Sequence, residues 1–157
     1  MNVSTHTRSA LNTPPIWEKC PEPALLQHPL VHGTLTEASI KLGGIEESDP
    51  PEEREERRQT ARRLWNEARA LNRQLDRLQH IVFVEGPSEM GTAAQAATGA
   101  LVPFFGAVID WFHAVDNGSE TPQHHAESDT AHSEAYGKLL QFLYAASDTT
   151  LPDIQDR

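Results

Sequence analysis

Apolar residues recur at alternating steps of three and four through the middle of the chain, from residue 61 to residue 82. This spacing places them on one stripe of an α-helix, because a strand would need a step of two. The pattern predicts a long amphipathic helix over about 49–82. The central residues of the stripe, called the seam below, are Leu64, Ala68, Leu71, Leu75 and Leu78.

Both ends of this helix carry recognisable signals. Asp49 is predicted as the N-cap, with Pro50 at the first helical position, where the missing N–H has no intrahelical partner anyway. Gly86-Pro87 cannot continue a helix and predicts its end. Residues 81–84, Ile-Val-Phe-Val, are β-branched and aromatic, so they also fit a short extended segment.

A second helix is predicted over 90–116. No charged residue occurs from Gly91 to Ile109, so we expect this helix to be buried on every side. Pro103 should kink or split it. The uncharged stretch just reaches the length that crosses a bilayer, but it lacks flanking Lys or Arg, which favours a core helix over a membrane segment.

Two further helices complete the predicted fold. A short one over 34–42 ends at Gly43-Gly44, and a last one over 130–147 follows a polar loop and is capped by Asp129 or Thr130. The fold class predicted is therefore all-α: an irregular bundle of three main helices plus a short N-terminal helix.

The chain length indicates one domain, which we place at 24–147. Residues 1–23 contain four prolines and are predicted to form a flexible arm. Residues 148–157 are polar and are predicted to fray as a tail.

Charge is distributed unevenly along the chain, whose net charge is −10. Residues 51–80 hold eight arginines against six acids, whereas residues 81–157 hold two basic residues against eleven acids. An acidic surface disfavours direct binding of nucleic acid or anionic membranes and suits a basic protein partner. The predicted partner-binding residues are Asp110, Asp116, Glu120, Glu127, Asp129 and Glu134.

Other chemistry is weakly indicated. The stretch from Gly86 to Thr92 has two glycines separated by four residues and then a threonine, which resembles a phosphate-binding loop without its lysine. The missing lysine favours a loop between two helices over a nucleotide site. Cys20 is the only cysteine, so no intrachain disulfide forms and a reducing cytoplasm is expected. No cofactor is expected.

Four histidines gather in the C-terminal half and could supply zinc ligands. They are His113, His124, His125 and His132. Their spacing matches no known ligand framework, so surface histidines are expected and no metal is predicted. A metal-dependent enzyme using the region from His113 to His132 remains an alternative.

The favoured function is that of a small acidic, non-enzymatic protein-binding or regulatory protein, since no acid, base and nucleophile occur at a plausible spacing. It could inhibit a partner complex by occupying its basic, nucleic-acid-binding surface. In size and charge alone, the chain resembles phage-encoded inhibitors of nucleic-acid-guided defence systems.

A second alternative is a helical homodimer that holds a protein segment in an apolar groove. The seam either packs on the apolar helix of the same chain or pairs with a second copy. A helix that is apolar all round needs more cover than one neighbouring helix provides. Either the N-terminal and C-terminal helices of the same chain cover it or a second subunit does, and a dimer is the favoured expectation.

Overall fold

Four helices make up the described part of the molecule. The computed structural model describes residues 21–150, with side chains for 24–84 and 86–147. The helices are α1 (Pro21–Gly43), α2 (Pro51–Glu85), α3 (Ser88–Asp116) and α4 (Pro122–Thr150), and residues 21–150 contain no strand. The predicted all-α bundle is confirmed. The rest of the predicted arm and tail, residues 1–20 and 151–157, lies outside the described residues.

Short connections make successive helices antiparallel. α2 packs against α1 and α3, α3 packs against α4, and α4 closes against α1. Ala24, near the start of α1, and Ala146, near the end of α4, belong to one buried cluster with Val82 and Met90. The first and last described helix ends therefore lie at the same end of the bundle.

The seam faces the interior of this bundle. Leu64, Ala68 and Leu75 are buried in the main core, and Leu71 is partly buried against them. Leu78 packs against the second buried cluster. A homodimer would therefore need a surface other than the seam.

The ends of α2 differ from the prediction. The N-cap is Pro50, and the carboxylate of Asp49 instead accepts a hydrogen bond of 3.0 Å from the backbone N–H of Glu46. The extended alternative for residues 81–84 is wrong, because these residues continue α2. Val82 is fully buried beside Met90, and this packing outweighs the strand preference of the segment.

The N-terminal helix is much longer than predicted. α1 spans 23 residues, with Pro29 and Gly33 inside it on the exposed side. Its opposite side buries Val31, Leu35 and Leu42 in the main core. Burial of that face stabilises the helix despite a proline and a glycine that disfavour helical backbone.

The prediction that α3 is buried on every side is wrong. Its buried residues form one stripe, whereas Val102 is 69% exposed and Pro103 also faces solvent. Most residues on the outward side are small, so little apolar area meets water even though the mean hydropathy is high. The stripe comprises Met90, Gly91, Ala94, Ala97, Leu101, Phe104, Val108, Trp111 and Ala114.

α3 also remains one helix through Pro103. By length and composition alone it is the helix, among the described residues, that could cross a membrane. The most apolar 18-residue window has a mean hydropathy of 1.4 and is 28% buried.

The polar loop predicted over 119–130 is mostly helical. α4 begins at Pro122, so neither Asp129 nor Thr130 caps it. Ser128 is fully buried and its hydroxyl lies 3.0 Å from that of Ser39 on α1. This hydrogen bond satisfies both hydroxyls at the interface of α1 and α4.

Glycine is required at the sharp turn between α2 and α3. A Cβ atom on Gly86 would lie 2.5 Å from the carbonyl oxygen of Val82. Gly91 lies inside α3, where its missing side chain lets the helix approach the backbone of Phe83. The two glycines therefore serve helix packing and do not frame a phosphate-binding loop.

Candidate protein-binding groove

An open groove runs between α3 and α4 on one flank of the bundle. Its volume is about 520 Å³, and small or apolar residues form most of its lining. The ionisable residues that line it are Asp110 from α3 and Glu127 and Glu134 from α4. We call this feature the acidic groove. The remaining lining residues are Pro103, Gly106, Ala107, Ala126, Thr130 and Ala131.

The carboxylates of the acidic groove are exposed and not neutralised. No salt bridge within the described side chains involves Asp110, Glu127 or Glu134. Glu127 accepts a hydrogen bond of 2.8 Å from the side chain of Gln123 one turn earlier. Because Glu127 and Glu134 are seven residues apart on α4, their positions are separated by about 10 Å along the helix axis.

The floor of the acidic groove permits a close approach. A Cβ atom placed on Gly106 would meet no atom within 4 Å, and the neighbouring Ala107, Ala126 and Ala131 carry only methyl groups. Small residues on facing helices let another backbone come near. A helix resting on this floor would bring its flanking side chains to the three carboxylates.

The other three predicted partner-binding acids lie elsewhere. Asp116 forms an ion pair with Arg58 of α2. Glu120 accepts a hydrogen bond of 2.9 Å from the indole N–H of Trp111. Asp129 is on the opposite flank of α4, 3.4 Å from Nδ1 of His125. The six acids therefore do not form one surface, and these three contact partners outside the acidic groove.

A second cleft lies at the end of the bundle where α1 meets α2 and α3 meets α4. Its volume is about 760 Å³, and Trp111 and His125 meet edge to face at its wall with ring centroids 5.2 Å apart. Four carboxylates and two guanidinium groups line it, and Arg58 is already paired with Glu55 and Asp116. The charged lining residues are Glu46, Glu47, Arg54, Glu55, Arg58 and Glu120.

The four candidate zinc ligands are dispersed. His113 lies between α2 and α3, and Nδ1 of His124 accepts a hydrogen bond of 3.1 Å from the backbone N–H of Thr121. His125 packs on Trp111, and His132 packs against His32 of α1. Within the described side chains, no three His, Cys, Asp or Glu residues are arranged to hold a metal ion.

Two buried histidines were missed by the sequence reasoning. His28 is 1% exposed and His32 is 6% exposed, and both lie on α1 where it faces α4. Burial lowers the pKa of His32 and lowers the pKa of His28 to about 4. The signal was available, because both continue the three- and four-residue spacing that leads back from Leu35 through Val31.

Comparison with models of known protein families, with curated proteins and with solved structures gives no match for this chain.

Proposed function

We propose that the protein is a non-enzymatic binding protein that holds a basic helical segment of another protein in the acidic groove. The observation that supports this is the set of three exposed carboxylates without an ion-pair partner in the described structure, along a floor of small side chains. The carboxylates along the rim would orient the basic segment and speed its association, and the floor would provide area for apolar contact.

A helix is the form of partner that the acidic groove fits best. Grooves between two packed helices accept a third helix through ridges and small residues. Lysine or arginine residues spaced seven apart on that helix would match the spacing of Glu127 and Glu134. An arginine or lysine on its other edge would reach Asp110.

This binding mode supports an inhibitory role. Segments rich in lysine and arginine are the ones that contact phosphate groups in proteins that bind nucleic acids. A segment held in the acidic groove is not free to contact a nucleic acid at the same time. The protein would then regulate its partner by competition, without a chemical step.

The test uses a synthetic amphipathic helical peptide with lysines seven residues apart on one edge and alanine and leucine on its inner face. The double variant Glu127→Gln with Glu134→Gln should weaken its binding roughly tenfold, since each exposed ion pair contributes about 0.2–1 kcal/mol. Fluorescence anisotropy of the labelled peptide measures the change. Binding to the unaltered protein should also weaken as salt is added.

The matched control is Asp129→Asn, which removes one charge from the same helix on the flank away from the acidic groove. It should change the dissociation constant less than twofold. Equal weakening by the control and the double variant would indicate a general charge effect. Affinity that does not change with either the double variant or ionic strength would reject the proposal.

A further inference from the structure

Another cleft lies between α2 and α3, on the side of α3 that faces away from the acidic groove. Its volume is about 290 Å³, and the aromatic side chains of Trp65 and Phe112 line it. Its rim includes two arginines, Arg62 and Arg69. We call it the arginine cleft. The remaining lining residues are Leu42, Ala61, Asn66, Val108, Ile109, His113 and Asp116.

Trp65 and Arg69 are held in place before any ligand binds. The guanidinium carbon of Arg69 lies 4.8 Å from the centroid of the Trp65 ring, within the range of a cation–π contact. The indole N–H of Trp65 donates a hydrogen bond of 3.3 Å to the backbone carbonyl of Phe105, and the two rings also meet edge to face. A charge fixed in this way loses less conformational freedom on binding than a free arginine.

The arginines continue beyond the arginine cleft along the exposed side of α2. Arg62, Arg69 and Arg73 share one stripe of the helix, Arg77 adjoins it, and the four span about 22 Å along the axis. None of them forms a salt bridge within the described side chains. These four exposed arginines therefore concentrate positive charge in a chain of net charge −10.

Two carboxylates lie near this row, and together they reduce its positive charge by at most one unit. Asp116 at the edge of the arginine cleft is paired with Arg58, which is outside the row. Asp76 adjoins the row on α2 but forms no ion pair within the described side chains. The row is therefore a basic surface on an otherwise acidic molecule.

We propose that the arginine cleft and the row of arginines dock an acidic helical segment of another protein, with one apolar side chain of that segment inserted beside Trp65 and Phe112. The size of the cleft favours a segment over a small molecule. About 290 Å³ is at the lower limit of small-molecule pockets and suits one large side chain. The row of about 22 Å matches some four turns of helix.

This surface is separate from the acidic groove and takes a partner of opposite charge. Trp and Arg are the residue types that contribute most to binding at protein interfaces, and the arginine cleft holds both in contact. Carboxylates of the docked segment would neutralise the row, and its apolar side chain would cover the exposed faces of the two aromatic rings.

The test titrates the ¹⁵N-labelled protein with a synthetic helical peptide. The peptide carries glutamates at successive spacings of seven and four residues, as in the row of arginines, and one central phenylalanine. NMR signals of the Trp65 indole and of residues around Phe112 should shift. Arg69→Glu and Arg73→Glu should each weaken binding at least tenfold. Arg73 touches neither aromatic ring, so its variant reports the charge of the row alone.

Arg63→Glu is the matched control, because Arg63 is exposed on α2 but lies outside the arginine cleft and the row. It should change affinity less than threefold. A peptide with alanine in place of phenylalanine should bind at least tenfold more weakly. Absence of shifts at Trp65 with millimolar peptide, equal losses from Arg63→Glu and Arg73→Glu, or unchanged binding of the alanine peptide would each overturn the proposal.

Discussion

An imidazole without a hydrogen-bond partner is buried between α1 and α4. Neither ring nitrogen of His28 has a partner among the described residues, and its ring packs 6.0 Å from that of Phe142. The ionisable groups beside it are the histidine pair formed by His32 and His132, with Tyr136 against both. Burial is the main reason that a proton on His28 is disfavoured, and a charged His32 would repel it as well. Backbone groups of His28 and Ala97 offset only part of this effect.

This environment gives the fold a predictable dependence on pH. The folded pKa of His28 is about 4, against 6.5 when the ring is exposed. Below pH 6.5 the unfolded chain therefore takes up a proton that the folded chain refuses, and the free energy of unfolding falls until about pH 4. The loss is about 2–3 kcal/mol between pH 7.5 and 4.5, at roughly 1.4 kcal/mol per pKa unit.

The substitution His28→Leu removes this pH-dependent loss of stability while filling a similar volume. Urea unfolding at a series of pH values should show a shallower decline below pH 6.5 for the variant than for the unaltered protein. His80→Gln, on the exposed side of α2, is the control and should keep the original slope. Parallel pH profiles for His28→Leu and the unaltered protein would contradict the assignment.

At the scale of elements, periodic apolar spacing predicted α2 and an uncharged apolar run predicted α3, both nearly to their ends. Neither signal predicted the first half of α1, where Pro29 interrupts a short apolar patch, or the first turns of α4, where His124 and His125 were expected in a polar loop. Those segments are helical because their other side is packed in the bundle. Packing between distant segments cannot be read from local spacing.

Replacing Gly99 in α3 or Gly86 in the preceding turn by alanine should change the free energy of unfolding in opposite directions. Gly99 lies in the interior of α3 with nothing within 4 Å of a Cβ atom, so Gly99→Ala should raise the free energy of unfolding by about 0.5–1 kcal/mol through helix preference. Gly86→Ala should lower it by about 1–3 kcal/mol, because the Cβ atom would collide with a backbone oxygen.

Urea unfolding of both variants measures these changes, with circular dichroism as a check of helix content. Gly99→Ala controls for the general effect of replacing glycine by alanine. A stabilising Gly86→Ala would mean that the turn between α2 and α3 has a different backbone path.

At the scale of the molecule, α3 divides two surfaces of opposite charge. Its one flank contributes Asp110 to the acidic groove, and its other flank contributes Ile109 and Phe112 to the arginine cleft. The charge counts along the chain predicted an acidic half and a richly basic helix. They could not predict that Asp116 would pair with Arg58, because that contact joins distant parts of the chain. The contacts of Glu120 with Trp111 and of Asp129 with His125 are local, since they lie nine and four residues apart.

The two surfaces should act independently. The double variant Glu127→Gln with Glu134→Gln should weaken the basic peptide and leave the acidic peptide within twofold, and Arg73→Glu should do the reverse. In a variant that combines all three changes, each peptide should lose only as much affinity as it loses from the changes in its own surface, as expected for sites without shared contacts. Titrations with both peptides measure this, and strong coupling between them would show that one surface alters the other.

Because Ala24 and Ala146 share a cluster at one end of the bundle, attachments made beyond either helix end would leave from the same pole. The cleft lined by Trp111 lies at the opposite pole, and the acidic groove and the arginine cleft lie nearer to that pole, whereas the row of arginines extends towards the attachment points as far as Arg77. A reporter fused directly to either of these two helix ends should therefore sit on the same side of the bundle, away from the cleft lined by Trp111, and measured affinities should not depend on which helix end carries it.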